Sequence, residues 1–278
     1  MNHSKLKTIA YLGPEGTYSE QAVSQWCSGC KTLPVGSIPA VAESVITGKA
    51  DQGIVPIENS IEGGVTFTLD LLIHEPNVVI SGEVIVPINH CLMAKTKMKY
   101  SEILTVYSHP QSLGQCRTFL EVNMPQANLI ASMSNSTAVE EMISSDANSA
   151  AISSERAARL YNAEIIKFNV EDQPNNETRF VVLDHKDHER TGKDKTSICF
   201  EFGSDSPGIL SHALSEFSKR GINLMKIESR PNKKSLGKYI FLVDLEGHRT
   251  DQILQEAISG VGQQTEMLKI LGSYPTLK

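Results

Sequence analysis

The chain has 278 residues, 40% of them hydrophobic, and a formal net charge of −6 at pH 7. This is enough for two domains, and the scattered basic residues argue against a nucleic-acid partner. No apolar run approaches the roughly 18–20 residues that span a bilayer, and the short polar N-terminus lacks the apolar core of a signal peptide. We therefore expect a cytoplasmic protein that binds neither nucleic acid nor membrane.

Short apolar runs alternate with helical patterns as far as Leu183. Strands are predicted at Thr8–Leu12, Gln52–Ile57, Val78–Ser81, Thr105–Tyr107, Asn128–Ala131, Ala150–Ile152, Ile165–Val170 and Arg179–Leu183. Helices are predicted from Tyr18, from a Ser37 cap to Gly48, through Leu69, Leu72 and Ile73, and at Gln111–Leu120, Thr137–Ile143 and Glu155–Tyr161. This alternation is typical of parallel sheets with helical crossovers, in which ligands bind at the carboxyl ends of strands.

The composition changes after Leu183. Residues 184–195 are nearly all polar, which predicts a solvated linker and a domain boundary. Beyond it, strands are predicted at Ser197–Phe202, Ile222–Ser229, Tyr239–Leu245 and Met267–Leu271, with helices that start at Pro207 and Asp251. The order βαββαβ predicts a ferredoxin-like module.

The five cysteines form an odd, dispersed set, which argues against a disulfide framework. Cys27 and Cys30 have the spacing of a redox motif but follow a predicted helix rather than a strand, so a helix end is the favoured interpretation. The two could pair under oxidation. No second CxxC or His pair completes a zinc site, and no GxGxxG or Walker-type loop supports nucleotide binding. We expect neither metal nor cofactor.

Polar segments adjoin four of the predicted strands. They are Glu58-Asn59-Ser60, Ser108-His109-Pro110-Gln111, Asn135-Ser136-Thr137 and Thr178-Arg179-Phe180. Each alone is typical of turn or capping chemistry, and His109 could simply cap or pack. Together they offer hydroxyls, amides, one guanidinium and helix N-termini, which predicts a site for a small carboxylate.

These segments carry a family resemblance. Gly13-Pro14-Glu15-Gly16-Thr17-Tyr18-Ser19, Val55-Pro56-Ile57-Glu58-Asn59-Ser60, Ser108-His109-Pro110-Gln111, Asn135-Ser136-Thr137-Ala138 and Asn176-Glu177-Thr178-Arg179-Phe180 resemble prephenate dehydratases in order and spacing. Pro207-Gly208-Ile209-Leu210 and Glu228-Ser229-Arg230-Pro231 resemble the ACT regulatory domain of the same enzymes. The resemblance covers about residues 8–275, and without a chorismate mutase segment before Thr8 it is to the monofunctional form. Met225 and Ile209 depart from, or vary within, the family pattern, which bears on effector affinity.

The resemblance implies a division into domains. Residues 8–185 would form a catalytic domain of two α/β lobes, similar to type II periplasmic binding proteins. Lobe one would comprise about 8–83 and 166–185, and lobe two about 84–165. Residues 186–195 would be the linker and 196–275 the ACT domain.

The resemblance also implies a reaction, the loss of CO2 and water from prephenate to give phenylpyruvate. Thr178 would assist the leaving hydroxyl, either by hydrogen-bond donation or as a relay from a stronger acid, because a threonine hydroxyl is itself a weak acid. Glu58 is the candidate for that acid if burial raises its pKa. The implied substrate-binding residues are Asn59, Ser60, Gln111, Asn135, Ser136, Thr137, Arg179 and Phe180. Arg179 could equally form a structural ion pair, and Phe180 is expected to pack.

The ACT resemblance implies L-phenylalanine as effector, bound between chains of a homodimer or of a homotetramer that is a dimer of dimers. The implied effector residues are Gly208, Ile209, Leu210, Asn223, Glu228, Ser229, Arg230 and Pro231. Three alternatives stay open: a C-terminal domain that only dimerises, an arogenate dehydratase, and a non-catalytic small-ligand sensor of the same fold.

Overall fold

Fifteen strands and nine helices run through residues 6–145 and 148–277, the part of the chain that this computed structural model describes. The strands are β1 (Thr8–Leu12), β2 (Lys31–Val35), β3 (Gln52–Asn59), β4 (Gly63–Gly64), β5 (Val79–Pro87), β6 (Cys91–Ala94), β7 (Thr105–Ser108), β8 (Asn128–Ala131), β9 (Ser149–Ser153), β10 (Glu164–Lys167), β11 (Glu177–Asp184), β12 (Asp194–Glu201), β13 (Leu224–Pro231), β14 (Tyr239–Glu246) and β15 (Met267–Pro275). The helices are α1 (Tyr18–Trp26), α2 (Ile38–Ile46), α3 (Thr66–His74), α4 (Pro110–Gln115), α5 (Arg117–Asn123), α6 (Asn135–Ser144), α7 (Glu155–Leu160), α8 (Ile209–Ser218) and α9 (Gln252–Gly262).

The first sheet has the strand order β2-β1-β3-β11-β5, with the short β4 beside β3. β1 runs parallel to both β2 and β3, and its central residues are fully buried. Local signals fix the helices around it. The side chain of Ser37 accepts from the amide of Ala40 at 3.3 Å, and Gly48 ends the helical segment with φ +70°. Both roles were predicted, because serine caps N-termini and glycine tolerates positive φ.

The second sheet has the order β10-β6-β9-β7-β8 and is mixed. β7 is parallel to β8 and β9, whereas β6 is antiparallel to β9 and β10. Apolar clusters cover both of its faces, one around Val106 and Ile152 and the other around Met93 and Val139. The α/β class predicted from the alternation of elements is therefore confirmed, although the second sheet is not purely parallel.

The third sheet is antiparallel, in the order β13-β14-β12-β15. Helices α8 and α9 cover one face, where Phe200, Phe217 and Val261 are among the buried core residues. This is the predicted ferredoxin-like βαββαβ module.

The described chain divides into two compact units. One comprises residues up to Val65 with Val84–Phe180, and the other comprises Thr66–Glu83 with residues from Val181 onward. Helix α3 and the first half of β5 thus belong to the same unit as the third sheet, whereas the predicted division placed residues 66–83 in lobe one.

Three polar contacts hold residues 66–83 in that second unit. Lys195 and Glu83 form a buried ion pair, with Nζ 3.1 and 3.0 Å from the two carboxylate oxygens. Arg230 Nη2 lies 3.1 Å from an oxygen of Asp70. Lys269 Nζ donates to main-chain carbonyls at the end of α3, including that of Leu72 at 2.7 Å. Charges buried in this way persist because each one is paired or hydrogen-bonded.

Several elements differ from the sequence-based expectation. Strand β2 was not predicted, because its sequence contains Pro34. The proline is tolerated because β2 lies at the edge of the sheet. Strand β6 was also missed. The single helix predicted over 111–120 is two helices that meet at Cys116. Strand β10 pairs in the second sheet, so the chain returns to the first sheet later than residue 166.

The solvated linker predicted for 186–195 is shorter in the structure. Strand β12 begins at Asp194, and both Asp194 and Lys195 are buried. The side chain of Asp194 accepts from the amides of Thr191 and Gly192 at 2.9 Å each. These partners allow a polar segment to be buried. The predicted helix end at Cys27 is confirmed, and Cys27 and Cys30 are joined as a disulfide with their Cα atoms 5.7 Å apart.

Candidate active site

The candidate catalytic threonine lies inside a strand rather than in the turn before it. Thr178 is the second residue of β11, which neighbours β3 in the first sheet, and it is 9% exposed. The end of β3 meets the start of β11, because the amide of Ser60 donates to the carbonyl of Glu177 at 2.9 Å and the Ser60 hydroxyl accepts from the Glu177 amide at 3.0 Å. Asn59 and Thr178 are thus held side by side.

Asn59 is oriented by the backbone around it. Its Oδ1 accepts from the amides of Ile61 and Glu62, both at 3.0 Å. Its Nδ2 therefore points the other way, toward three acceptors: Asn176 Oδ1 at 2.7 Å, Thr178 Oγ1 at 2.9 Å and the carbonyl of Glu177 at 3.1 Å. A hydroxyl that accepts one hydrogen bond keeps its own proton for donation. Asn59 thus leaves the Thr178 hydroxyl ready to donate.

The hydrogen bonds continue from Asn176 to Gln115 on α4. Asn176 Nδ2 donates to Gln115 Oε1 at 3.2 Å, and Gln115 Nε2 donates to a carboxylate oxygen of Glu62 at 3.2 Å. Asn176 itself is 2% exposed. A run of amides that bond to one another in this way has one consistent direction from donor to acceptor.

A buried histidine completes the run. His90 is 1% exposed, and its Nε2 lies 3.0 Å from Gln115 Oε1. Burial lowers the pKa of His90, so the ring is neutral at pH 7, and its Nε2 must carry the proton because Gln115 Oε1 only accepts. Burial also raises the pKa of Tyr18 well above its usual value, and its phenol donates to the carbonyl of Asn89 at 2.7 Å. Tyr18 Oη lies 3.2 Å from the other ring nitrogen of His90.

Arg179 forms an ion pair with Glu58, with Nη2 and Oε2 3.2 Å apart. Of the two roles considered for Arg179, this is the structural one. Glu58 is its ion-pair partner, and its role as the acid behind Thr178 stays a prediction. Phe180 is 2% exposed and packs in the interior, as expected.

A cavity of about 660 Å³ lies within the first unit. Its lining comes from four short segments and Ser154: Leu12, Gly13, Pro14, Gly16, Thr17, Tyr18 and Ser19; Pro34, Val35 and Gly36; His109; Met133, Ser134, Asn135 and Thr137. Of the described residues, the lining includes Asn135 and Thr137 from the predicted set, and neither Thr178 nor Glu58. Tyr18 belongs both to this lining and to the hydrogen-bonded run that leads to Thr178.

Asn135, at the start of α6, organises one side of the cavity. Its Oδ1 accepts from the Ser108 hydroxyl at 3.2 Å and from the His109 amide at 3.3 Å. His109 Nδ1 accepts from the amide of Gln111 at 3.3 Å. Burial lowers the pKa of His109, so that the neutral ring presents an Nε2–H donor. The side chain of Gln111 is exposed.

The loop before α1 is fastened to the N-termini of α6 and α7. Ser136 donates to the carbonyl of Glu15, and Ser154 donates to the carbonyl of Gly16 at 2.8 Å. Arg156 binds both carboxylate oxygens of Glu20, at 2.8 and 2.6 Å, and this hydrogen bonding holds the pKa of Glu20 below its usual value. Ser136 is fully buried, so it positions this loop instead of facing a ligand.

Gly16 is required where this loop meets α6. Its φ is +83°, and a Cβ atom there would lie 2.6 Å from Ser136 Oγ and 3.3 Å from the Cα of Ala157. Only glycine combines positive φ with so close an approach.

Across 6–145 and 148–277, no group of three or more His, Cys, Asp and Glu side chains is arranged to hold a metal ion. Within the same residues, no helix is long and apolar enough to cross a membrane.

Comparison with known proteins identifies the family. The sequence model described as prephenate dehydratase matches residues 9–188, more than half of the chain. The chain belongs to the prephenate dehydratase family. The ACT domain model matches residues 202–263.

Relatives of the prephenate dehydratase family align along nearly the whole chain. The bifunctional chorismate mutase/prephenate dehydratase of Aquifex aeolicus is 43% identical over 96% of this chain and 73% of its own length. The prephenate dehydratase of Methanocaldococcus jannaschii is 39% identical over 97% of this chain and 98% of its own. The crystal structure of prephenate dehydratase from Arthrobacter aurescens in complex with L-Phe superposes with a TM-score of 0.88 at 34% identity, covering 97% of this chain and 90% of that one.

The residues predicted to bind an effector are spread over the ACT domain of this prephenate dehydratase family member. Gly208, Ile209 and Leu210 line a cavity of about 300 Å³, whereas Asn223 lines a different one. Glu228 pairs with Lys226 at 3.1 Å.

Burial alternates along this strand, β13. Arg230 is partly buried and paired with Asp70, whereas its neighbours Ser229 and Pro231 are exposed. Ser229 and Pro231 pair with Phe241 and Tyr239 of β14, which line the same cavity as Gly208–Leu210, whereas Asn223 lines the other cavity.

Sequence reasoning missed several residues of the site. His90, Gln115 and Glu62 had no motif to mark them, because their roles depend on contacts between distant segments. Asn176 and Tyr18 stood inside motifs that were recognised, but their side-chain partners could not be read from the sequence.

Proposed function

We propose that this protein catalyses the decarboxylating dehydration of prephenate to phenylpyruvate, CO2 and water, in the synthesis of phenylalanine. Membership of the family supports the reaction. The observation that carries the proposal is the contact between Asn59 and Thr178, which leaves a hydroxyl proton available for the group that departs.

The chemistry asks for a modest contribution from the protein. The bond between the ring and its carboxylate breaks, and the electron pair forms a ring double bond as CO2 leaves. The hydroxyl on the opposite ring carbon departs with its bonding electrons, takes up a proton and becomes water. Formation of an aromatic ring drives the step, so orientation and hydrogen-bond donation to the leaving oxygen are the main demands.

The proposed roles of Thr178 and Glu58 rest on the family resemblance: Thr178 donates to the leaving hydroxyl, and Glu58, which is paired with Arg179, is kept as the candidate acid. Asn135 and Thr137 line the cavity as proposed substrate-binding residues, and His109 adds an Nε2–H donor there. The remaining proposed substrate-binding residues are Asn59, Ser60, Gln111, Ser136, Arg179 and Phe180. Because Ser136 and Phe180 are buried, we expect these two to support the site by packing and not to contact the substrate.

We further propose that L-phenylalanine controls the activity through the ACT domain. The support is the match of that domain and the related structure that contains L-Phe. By the resemblance to ACT domains, the effector site would lie between the ACT domains of a homodimer or of a dimer of dimers. We keep residues 8–185, 186–195 and 196–275 as the proposed catalytic, linker and regulatory segments, and the cytoplasm as the proposed location.

A direct assay tests the proposal. Purified protein is incubated with prephenate or with arogenate, each with and without phenylalanine. We expect phenylpyruvate from prephenate and a changed rate when phenylalanine is present. Preferential formation of phenylalanine from arogenate would instead identify an arogenate dehydratase. Binding of either compound without turnover would identify a sensor.

A further inference from the structure

Asn176 occupies the central position in the buried amide run. Its Oδ1 accepts from Asn59 at 2.7 Å, its Nδ2 donates to Gln115 at 3.2 Å, and its main-chain carbonyl accepts from the amide of Ile88 at 2.8 Å. At 2% exposure it has almost no access to solvent. Every polar group of this side chain therefore depends on protein partners.

The far end of the run fixes which way Asn176 faces. The carboxylate of Glu62 can only accept, so the Gln115 amide must turn its Nε2 toward Glu62 and its Oε1 toward Asn176. The Nε2–H of His90 also points at this Oε1, which reinforces the same orientation. Asn176 must then present Nδ2 to Gln115.

The near end of the run is Thr178. With its Nδ2 directed at Gln115, Asn176 presents Oδ1 to Asn59 and takes one of the two N–H groups of that amide. The second N–H faces Thr178 Oγ1 at 2.9 Å and, at the longer distance of 3.1 Å, the carbonyl of Glu177. The direction of the bonds in the run thus makes the Thr178 hydroxyl an acceptor toward Asn59, so its own proton is not used in that bond.

We propose that Asn176 is a positioning residue for the dehydration, and that it acts through Asn59 to set the direction of the Thr178 hydroxyl. This rests on the proposed function, since Thr178 matters only if a leaving group is there to receive its proton. Asn176 is 2% exposed and its side chain is bonded to Asn59 and Gln115, so it acts through Asn59 and not by contact with substrate.

Two replacements distinguish the acceptor role of Asn176 Oδ1 from the donor role of its Nδ2. Asn176→Ala removes the acceptor for Asn59. Asn176→Asp keeps an acceptor, and in its protonated form it also keeps a donor for Gln115. In its ionised form the aspartate places one of its own oxygens opposite Gln115 Oε1, so two acceptors face each other with no proton between them.

The steady-state result expected for Asn176→Ala is a kcat lowered about 10- to 100-fold, with KM changed less than about threefold, since alignment of the leaving group is lost while binding is kept. Combined with Asn59→Ala, it should add little to the loss from Asn59→Ala alone, because both act on the same hydroxyl. For Asn176→Asp, kcat should rise as the pH falls through the titration of the new carboxyl, a limb that the wild-type profile lacks. Thermal unfolding at each pH controls for loss of fold.

A measurement without turnover keeps the inference separate from the proposed function. In the wild-type protein the side-chain amide protons of Asn59 should exchange slowly with solvent in NMR spectra, and in Asn176→Ala they should exchange faster while distant amides do not change. Unaltered exchange at Asn59 overturns the inference whatever the substrate is. The inference is also overturned if Asn176→Ala keeps a kcat within twofold of an active wild type. It is overturned as well if the fold-loss in kcat of the double alanine variant equals the product of the losses of the two single variants. A wild type that does not convert prephenate counts against the proposed function instead.

Discussion

At the scale of single residues, the proposed role of Thr178 depends on the direction of the hydrogen bonds around its hydroxyl. A threonine hydroxyl can point its proton toward the protein or toward a ligand, and only the second arrangement assists a leaving group. Asn59 excludes one direction, toward its own carboxamide, because its Oδ1 is already held by two backbone amides and its Nδ2 faces Thr178 Oγ1. The carboxamide has no freedom to turn over without losing both bonds.

Replacement of Thr178 by valine tests this directly. Thr178→Val keeps the shape but removes the hydroxyl, and kcat for prephenate should fall by about 10² or more, the usual worth of assisted proton transfer. The lost acceptor for Asn59 should lower the free energy of unfolding by about 1–2 kcal/mol, which thermal unfolding can measure. Thr178→Ser is the matched control and should keep most of kcat. Near-normal kcat in the valine variant would remove Thr178 from the mechanism.

The sequence predicted which segments form the site better than it predicted their contacts. Thr178 and Asn59 were both identified from motifs. The bond between them joins residues separated by 119 positions, and neither motif records it. Arg179 was left between two roles because the choice depends on whether Glu58 lies within reach, which is a three-dimensional fact.

At the scale of elements, the loop before α1 is held against α6 and α7 by main-chain carbonyls and one bidentate ion pair. Thr17 was predicted as a helix start, and its side chain does accept from the amide of Glu20. The partner of Glu20 could not be predicted, since Arg156 lies 136 residues away.

The ion pair between Glu20 and Arg156 gives a pH-dependent prediction. The folded-state pKa of Glu20 is lowered, so the pair stabilises the fold above the ordinary glutamate pKa and loses its effect as the pH falls through the folded value. Arg156→Gln should lower the free energy of unfolding by about 1–2 kcal/mol at pH 7, a figure reduced for the partial exposure of Arg156.

Urea unfolding of both proteins from pH 7 down to about pH 3 checks this, since an unpaired glutamate titrates near 4.3. The difference between them should shrink below about pH 4. A difference that does not vary with pH would assign the effect to packing of the arginine side chain and not to its charge.

At the scale of the whole molecule, the boundary drawn from sequence and the compact units of the structure differ. A boundary after Leu183 was predicted from composition, because a polar run cannot form a core, and it stays a prediction. The placement of α3 and β5 with the third sheet could not be predicted. It rests on pairs such as Lys195 with Glu83, in which each residue taken alone is typical of a solvated surface.

Lys195→Met tests the importance of that pair for the second unit. It leaves the carboxylate of Glu83 buried without its cation, which should cost about 3–5 kcal/mol of unfolding free energy. The double variant Glu83→Leu with Lys195→Met removes both charges and should recover most of the loss. Thermal and urea unfolding of the three proteins decide the matter. Equal stability of the single variant and the wild type would show that the pair contributes nothing.

The same pairing has a consequence for the order of events during synthesis. Glu83 leaves the ribosome 112 residues ahead of Lys195, and the carbonyl of Leu72 leaves 197 residues ahead of Lys269. Until the last strand has been made, α3 and the first half of β5 therefore lack the partners that bury them. In a chain released before β15 is made, residues 66–83 would lack these partners, and a segment without its partners is exposed to proteases and chaperones.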